Sequence, residues 1–270
     1  MKKLGVLLMA VVFVGCLCGA ALAGDTLEEV KKKGVLVAGI KDSAPPFGFI
    51  DPNTRAIIGY DVDFCVAIAK RMGVKLDIKP VTSATRMPQL IAGNIDLVAA
   101  TMTITAERAK QLDFSYTYFL TGQKFLTKKG SVNKLADLDG KKIGTAKGST
   151  SEQNAAKALP TATVLSFDDY PSAFLALQQG KVVAVTTDES MLAGLLGKAP
   201  NKEAFEIPDI RISDEPYGLG IRKGDKGLLD AVNATLLEME KSGEAAKVFE
   251  KWFGPKTDTP LRRTFKITAQ

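Results

Sequence analysis

The chain contains no histidine. That absence excludes Ser-His-Asp and Cys-His nucleophile systems, HExxH zinc sites and any histidine general base. Carboxylates and lysines remain, so hydrolysis is left open but without its commonest machinery. Cysteine is almost as scarce, with three in 270 residues, and Cys16 and Cys18 both lie near the N-terminus. Aromatic residues make up 7%, with a single tryptophan, Trp252, and no stretch interleaves them with basic residues as an RNA-binding motif does. Lysine and arginine exceed the acids by 36 to 30, but they are scattered along the chain, so nucleic acid is rejected as a partner.

What is present begins with Lys2 and Lys3, an apolar run over Leu4–Val14, and small residues ending in Ala21-Leu22-Ala23. This three-part pattern predicts a secretory signal over residues 1–23, cut between Ala23 and Gly24. Leu4–Val14 is shorter than the ~20 residues a membrane span needs. Cys16 after Phe13-Val14-Gly15 is a poor lipobox, so lipid anchoring there is the lesser expectation. Removal of the segment takes away two lysines and no acid, and the net charge falls from +6 to +4. Cys65 is then the only thiol, so no internal disulfide is expected, and the remaining 247 residues (270 minus 23) need none. The expected location is periplasmic.

The rest of the chain alternates short apolar strands with amphipathic helices, the pattern of α/β layers. Strands are expected over residues 34–39, 75–79, 95–100, 124–127, 142–145, 162–165, 182–185 and 218–221. Helices are expected between and after them, including 61–72, where Val62, Phe64, Cys65, Ile68, Ala69 and Met72 form one stripe closed by Gly73. The elements fall into two similar α/β halves. They suggest a two-lobed body with a cleft, lobe 1 being residues 24–121 plus 216–254 and lobe 2 residues 122–215. Residues 255–270, with Pro255 and Pro260, extend past the last expected helix as an extended strap.

Gly59-Tyr60-Asp61-Val62-Asp63-Phe64, followed by Ile68 and Ala69, resembles the signature of family 3 extracytoplasmic solute-binding proteins. Thr101–Arg108 with Asp113-Phe114-Ser115 looks like the same family's second landmark, and Lys147-Gly148-Ser149-Thr150 and Val182–Asp188 fit its second lobe. The closest resemblance is to the aspartate/glutamate-binding members. It implies a type II periplasmic-binding-protein clamp, each lobe a mixed sheet flanked by helices, with the ligand cleft between lobes. It also implies a monomer that hands an acidic L-amino acid to an ABC transporter permease, with no cofactor, metal or catalytic residue.

A free amino acid is a zwitterion, and closing lobes around it strips water from both charges, so each needs a partner. Arg108, behind the helix-starting Thr105-Ala106-Glu107, matches the family's α-carboxylate arginine; a solvated helix residue is the plainer alternative. Thr101 and Thr103 alternate at a strand exit and match the family's hydroxyl positions. Ser149 and Thr150 have capping-box spacing to Glu152 and Gln153; the same helix start could receive the α-carboxylate on its N–H groups. Asp188 matches the ammonium-binding aspartate and is equally placed to cap a helix. Lys41 is a cation where one suits an anionic side chain, Arg86 resembles the arginine that receives the side-chain carboxylate in aspartate/glutamate-binding members, and Tyr170 resembles a tyrosine of the second-lobe wall. Phe47 is expected in the core more than at the cleft. An enzyme on the same clamp, of the cyclohexadienyl dehydratase kind, and a glutamine or general polar amino acid receptor stand as rivals.

Overall fold

The structure is a computed structural model that describes residues 26–269. The expected signal segment and Cys16 lie outside the described residues. In chain order the elements are α1 (Thr26–Lys33), β1 (Val35–Ile40), β2 (Ser43–Ala44), β3 (Gly48–Ile50), β4 (Ile57–Ile58), α2 (Tyr60–Met72), β5 (Lys75–Pro80), α3 (Arg86–Ile91), β6 (Leu97–Ala99), α4 (Ala106–Ala109) and β7 (Leu112–Phe114). Then follow β8 (Phe119–Lys128), β9 (Lys142–Ala146), α5 (Thr150–Ala158), β10 (Thr163–Phe167), α6 (Tyr170–Gln178), β11 (Ala184–Asp188) and α7 (Glu189–Gly197). The chain ends with β12 (Phe205–Glu206), β13 (Ser213–Tyr217), β14 (Gly220–Arg222), α8 (Lys226–Lys241) and α9 (Glu244–Phe253).

Two mixed sheets organise the molecule. The first runs β5-β1-β6-β14-β7 and the second β10-β9-β11-β8-β12, with β13 also paired to β8. In each, the parallel strands are joined through helices and the antiparallel ones come from the crossings. The chain leaves the first sheet after β7 and returns to it at β14. The two crossing strands, β8 and β13, run antiparallel with Phe119 opposite Tyr217. A small sheet, β2-β3-β4, packs against α2 through β3 and β4 and against α6 and α7 through β2.

Helix α2 shows how local sequence sets this packing. Its apolar stripe buries Phe64, Cys65, Ile68 and Ala69 completely or nearly so, while Val66 and Lys70 stay in water. Gly59 precedes it at φ 148°, and a Cβ there would lie 2.0 Å from the Phe47 carbonyl oxygen, so only glycine fits. The approach brings Phe47 into a ring cluster with Tyr60, Phe119, Tyr217 and Phe253, centroids 4.9–5.8 Å apart. Phe47 is therefore core, at the foot of the crossing strands. Such ring pairs add about 0.5–1.5 kcal/mol each beyond area burial.

The C-terminal residues are more than a surface strap. Leu261 N–H donates to the Phe253 carbonyl, the Arg263 guanidinium makes two bonds to the Glu240 carboxylate, and Phe265 packs edge-on against Phe119 at 5.4 Å. Ile267 is buried at the end of the run. Among the described residues no helix is long and apolar enough to cross a membrane.

Candidate functional site

The carboxyl ends of the parallel strands from both sheets meet at one place, where open α/β sheets present ligand groups. Lys41 follows β1, Thr101 and Thr103 follow β6, and Arg86 and Arg108 start or end short helices beside them. Facing them, Ser149 and Thr150 follow β9, Tyr170 opens α6 after β10, and Asp188 ends β11. All nine sequence-predicted residues are buried in this one region. The two walls touch directly: Arg108 Nη2 donates to the Gly148 carbonyl at 3.4 Å, and the Thr103 and Thr150 hydroxyls are 3.4 Å apart. Gly148, at φ 75°, has the Ala84 Cα only 2.8 Å from where a Cβ would be, so the closure needs glycine.

On the first wall everything converges on Thr101. Asp61 Oδ2 accepts its N–H at 3.1 Å, Arg86 Nη1 donates to its carbonyl at 3.0 Å, and Lys41 Nζ donates to its hydroxyl at 2.8 Å. Thr101 sits at φ 48°, a left-handed conformation that costs a β-branched residue about 1–3 kcal/mol and persists only where neighbours over-determine it. Arg86 also donates to the Ala100 carbonyl, while its buried Nε has no hydrogen-bond partner. Arg108 is steered by Thr105, whose hydroxyl caps α4 by accepting the Arg108 N–H, and its Nη1 donates to the Thr103 carbonyl at 2.8 Å.

These guanidinium and ammonium groups are held by neutral oxygens. None of Lys41, Arg86 and Arg108 has an ion-pair partner within 4.0 Å among the described residues. Burial first, then the charge of Arg86, holds Lys41 well below the ordinary lysine range. Burial and then Arg108 pull Arg86 down to about 9, still charged at neutral pH.

The second wall separates the two roles that the sequence left open for Asp188. It stands at the N-cap of α7 but makes no capping bond. Instead Tyr217 donates to its Oδ2, and its buried Oδ1 has no partner. Burial, reinforced by the nearby Glu215 charge, pushes its carboxyl up to about 7. Ser149 does cap: its hydroxyl accepts the Glu152 N–H at 3.1 Å and donates to the Ala146 carbonyl at 2.6 Å. The reciprocal half of the capping box is shifted by one residue, because Glu152 accepts the Gly148 N–H. Tyr170 follows the Asp169 cap of α6, and its ring faces the Lys41 ammonium at 5.4 Å. Lys41, Ser83, Ala146 and Tyr170 line a small, nearly closed recess between the walls.

Sequence reasoning passed over Asp61, Tyr217 and Glu215. Asp61 was quoted only as part of a signature, yet it accepts both the Thr101 N–H and the Tyr118 hydroxyl, and burial lifts it to about 6. Glu215 and Tyr217 lie at the expected boundary between lobe 2 and the returning part of lobe 1, where no site residue is expected. The period-2 alternation of Ser213–Tyr217 was the signal, since it turns Glu215 and Tyr217 inward and leaves Asp214 outside.

Comparison with known proteins places the chain in a family. Residues 36–255 match the model of bacterial extracellular solute-binding proteins, family 3. The chain belongs to that family. It is 40% identical to an ABC transporter glutamine-binding protein of Bacillus subtilis over 84% of each chain. It is 35% identical to a glutamate/aspartate import solute-binding protein of Salmonella typhimurium, covering 93% of this chain and 87% of that one. A solved ancestral arginine-binding protein bound to glutamine superposes with a TM-score of 0.78 at 44% identity, covering 82% of this chain and 98% of that structure. The family-3 solute-binding protein is thus a two-lobed amino acid receptor of the ABC transport class.

Proposed function

We propose that this family-3 receptor binds L-glutamate and L-aspartate in the periplasm and delivers them to an ABC permease. The observation that carries the reading is the set of three buried cations, Lys41, Arg86 and Arg108, with no acidic partner within 4.0 Å among the described residues. One carboxylate satisfies one cation of this set; an acidic amino acid brings two. In this reading the α-carboxylate lies between Arg108 and the start of α5 at Thr150, where the first helical N–H groups face a ligand. The ammonium goes to the unpartnered Oδ1 of Asp188, beside the hydroxyls of Thr103 and Thr150. The distal carboxylate meets the open edge of Arg86 and the Lys41 ammonium, with Thr101 as their common brace. Tyr170 covers it and Ser149 fixes the helix that receives the α-carboxylate.

The lobes of the proposal are residues 24–121 plus 216–254 and 122–215, and closure follows from the ligand touching both. A micromolar dissociation constant, about −8 kcal/mol, suits a small ligand with its charges paired. No bond is made or broken; a dehydratase would turn over arogenate or prephenate, and the expected rate is background. The one second reading with support is glutamine, the ligand named for the 40%-identical relative. Isothermal titration of residues 24–270, unfolded and refolded to strip carried-over ligand, separates them. Stoichiometric heat from L-glutamate and L-aspartate but not from L-glutamine or L-arginine is the expected result. Heat from glutamine alone would keep the receptor and reject the acidic side-chain assignment.

A further inference from the structure

Glu215 lies on the return crossing strand β13 with 1% of its surface exposed. Four side-chain donors reach its carboxylate. Thr103 Oγ1 donates to Oε2 at 2.6 Å and Thr150 Oγ1 to the same oxygen at 2.9 Å. Asn154 Nδ2 donates to Oε1 at 2.9 Å and Ser213 Oγ at 2.5 Å. Thr103 belongs to the first wall and Thr150 and Asn154 to α5 of the second, so one carboxylate fastens hydroxyls from both. An ionised carboxylate accepts about four hydrogen bonds and donates none. Here all four positions are filled by donors.

A threonine hydroxyl has one proton. Once that proton is given to Glu215, only lone pairs remain for anything else that approaches Thr103 or Thr150. Resting on the amino acid reading of the cleft, we propose that Glu215 is a positioning residue that makes both hydroxyls obligatory acceptors. It thereby selects a ligand group with several protons to donate, a primary ammonium, over a hydroxyl or a second carboxylate. Asp188 Oδ1 then completes a cradle of three acceptors around that group, one for each ammonium proton.

The surrounding amides make Glu215→Gln a directed test. Gln123 Nε2 donates to the Ser151 carbonyl and the Thr186 hydroxyl, so its Oε1 faces Asn154, which must present its NH₂. A glutamine at 215 therefore keeps its oxygen toward Asn154 and turns its own NH₂ toward the threonines. Their hydroxyls must then accept, and their protons swing toward the ligand. Titrations of the full mature chain with L-glutamate and with L-2-hydroxyglutarate read the effect, the amine being the only difference between the probes. The expected result is a fall of at least tenfold in L-glutamate affinity and a comparable narrowing of the preference for the amine. General damage to the fold would weaken both probes alike and leave their ratio unchanged. Thr103→Val serves as the second variant: it too should narrow the ratio, and adding Glu215→Gln to it should cost less than in the wild type. Wild-type protein that binds neither L-glutamate nor L-glutamine overturns the receptor reading and this inference with it. Wild-type binding of L-glutamate with an unchanged amine-to-hydroxyl ratio in both variants overturns this inference alone. Where glutamine is the tighter ligand, glutamine and its 2-hydroxy analogue replace the pair.

Discussion

On the first-sheet wall of the cleft the charged groups are cations anchored to backbone carbonyls, Arg86 on Ala100 and Thr101 and Arg108 on Thr103. On the facing wall and the crossing strand they are carboxylates anchored by hydroxyls, Asp188 by Tyr217 and Glu215 by two threonines and a serine. Carbonyls and hydroxyls hold a charge in place without cancelling it, as an ion pair would. Apart from Asp61, which the Thr101 N–H and the Tyr118 hydroxyl hold behind the first wall, each wall is therefore left with desolvated charge of one sign, which is costly until a molecule carrying both signs lies between them. Away from the cleft the practice is the opposite, with the part-buried Lys124 and Arg263 and the exposed Lys223 each paired to an acid. Self-neutralised charge decorates the fold, and uncancelled charge marks the cleft.

The most severe way to break this arrangement is to remove a cation from the first wall. Arg108→Ala is expected to weaken binding of every amino acid about a thousandfold, because truncating one side of a buried charged pair costs about 4 kcal/mol. Titration with glutamate and glutamine measures it, and a normal melting curve shows the fold is kept. Equal loss for both ligands assigns Arg108 to the α-carboxylate; loss for glutamate alone would move it to the side chain.

Removing the charge from the other wall should separate binding from stability. Asp188→Asn is expected to lower affinity about a hundredfold, close to the worth of a charge-assisted bond, while raising the melting temperature. The sign follows from linkage. The folded carboxyl titrates at about 7, against 3.8 for the ordinary aspartate. Between those values the native protein holds a proton that the unfolded chain has lost, so stability is greatest on the acid side and declines as pH rises through 7. Binding runs the other way, because the ammonium needs the ionised form. Wild-type affinity should therefore fall between pH 8 and pH 5.5 by roughly 30-fold, one decade per pH unit below the pKa. The asparagine variant should lose most of both slopes; Asp61, raised to about 6, leaves a residue of the stability slope.

A smaller effect sharpens the cation wall. Lys41→Met removes a charge whose only side-chain hydrogen bond among the described residues is to Thr101. Glutamate should lose about tenfold in affinity, equivalent to about 1.4 kcal/mol, and glutamine less than threefold. Equal losses would assign Lys41 to bracing Thr101.

Much of this was legible in the sequence, for reasons that differ by residue. The stripe of α2 and the apolar strands carry their own periodicity, so the α/β class followed from pattern alone. Arg108, Asp188 and Thr150 were nameable because each stands near the end of an apolar strand within a stretch that resembles the family's motifs; position alone would have left Arg108 a solvated helix residue. Glu215 and Tyr217 were not, since their roles depend on β13 pairing with β8 more than ninety residues away. Alternation within Ser213–Tyr217 says which side chains share a face; it says nothing about what that face meets. The strained backbone of Thr101 was also invisible, because a threonine at a strand exit looks like ordinary β-propensity.

That strain gives the finest test of how the first wall is held. Thr101→Gly relieves the φ of 48°, worth about 1–2 kcal/mol. It also loses the hydroxyl that Lys41 donates to, about 1 kcal/mol, and adds backbone freedom to the unfolded chain, about 0.5–1 kcal/mol. The three terms nearly cancel, so the melting temperature should move by no more than about 4 °C. Thr101→Val keeps the β-branched strain and loses the same hydroxyl, so it should melt below the glycine variant. The order of the two is the informative result. Glycine above valine means that Asp61, Arg86 and Lys41 hold Thr101 in a conformation the residue itself resists, and that the wall is braced around it. Valine at or above glycine would mean that the left-handed turn costs nothing here, and that the three contacts merely decorate a turn the chain adopts unaided.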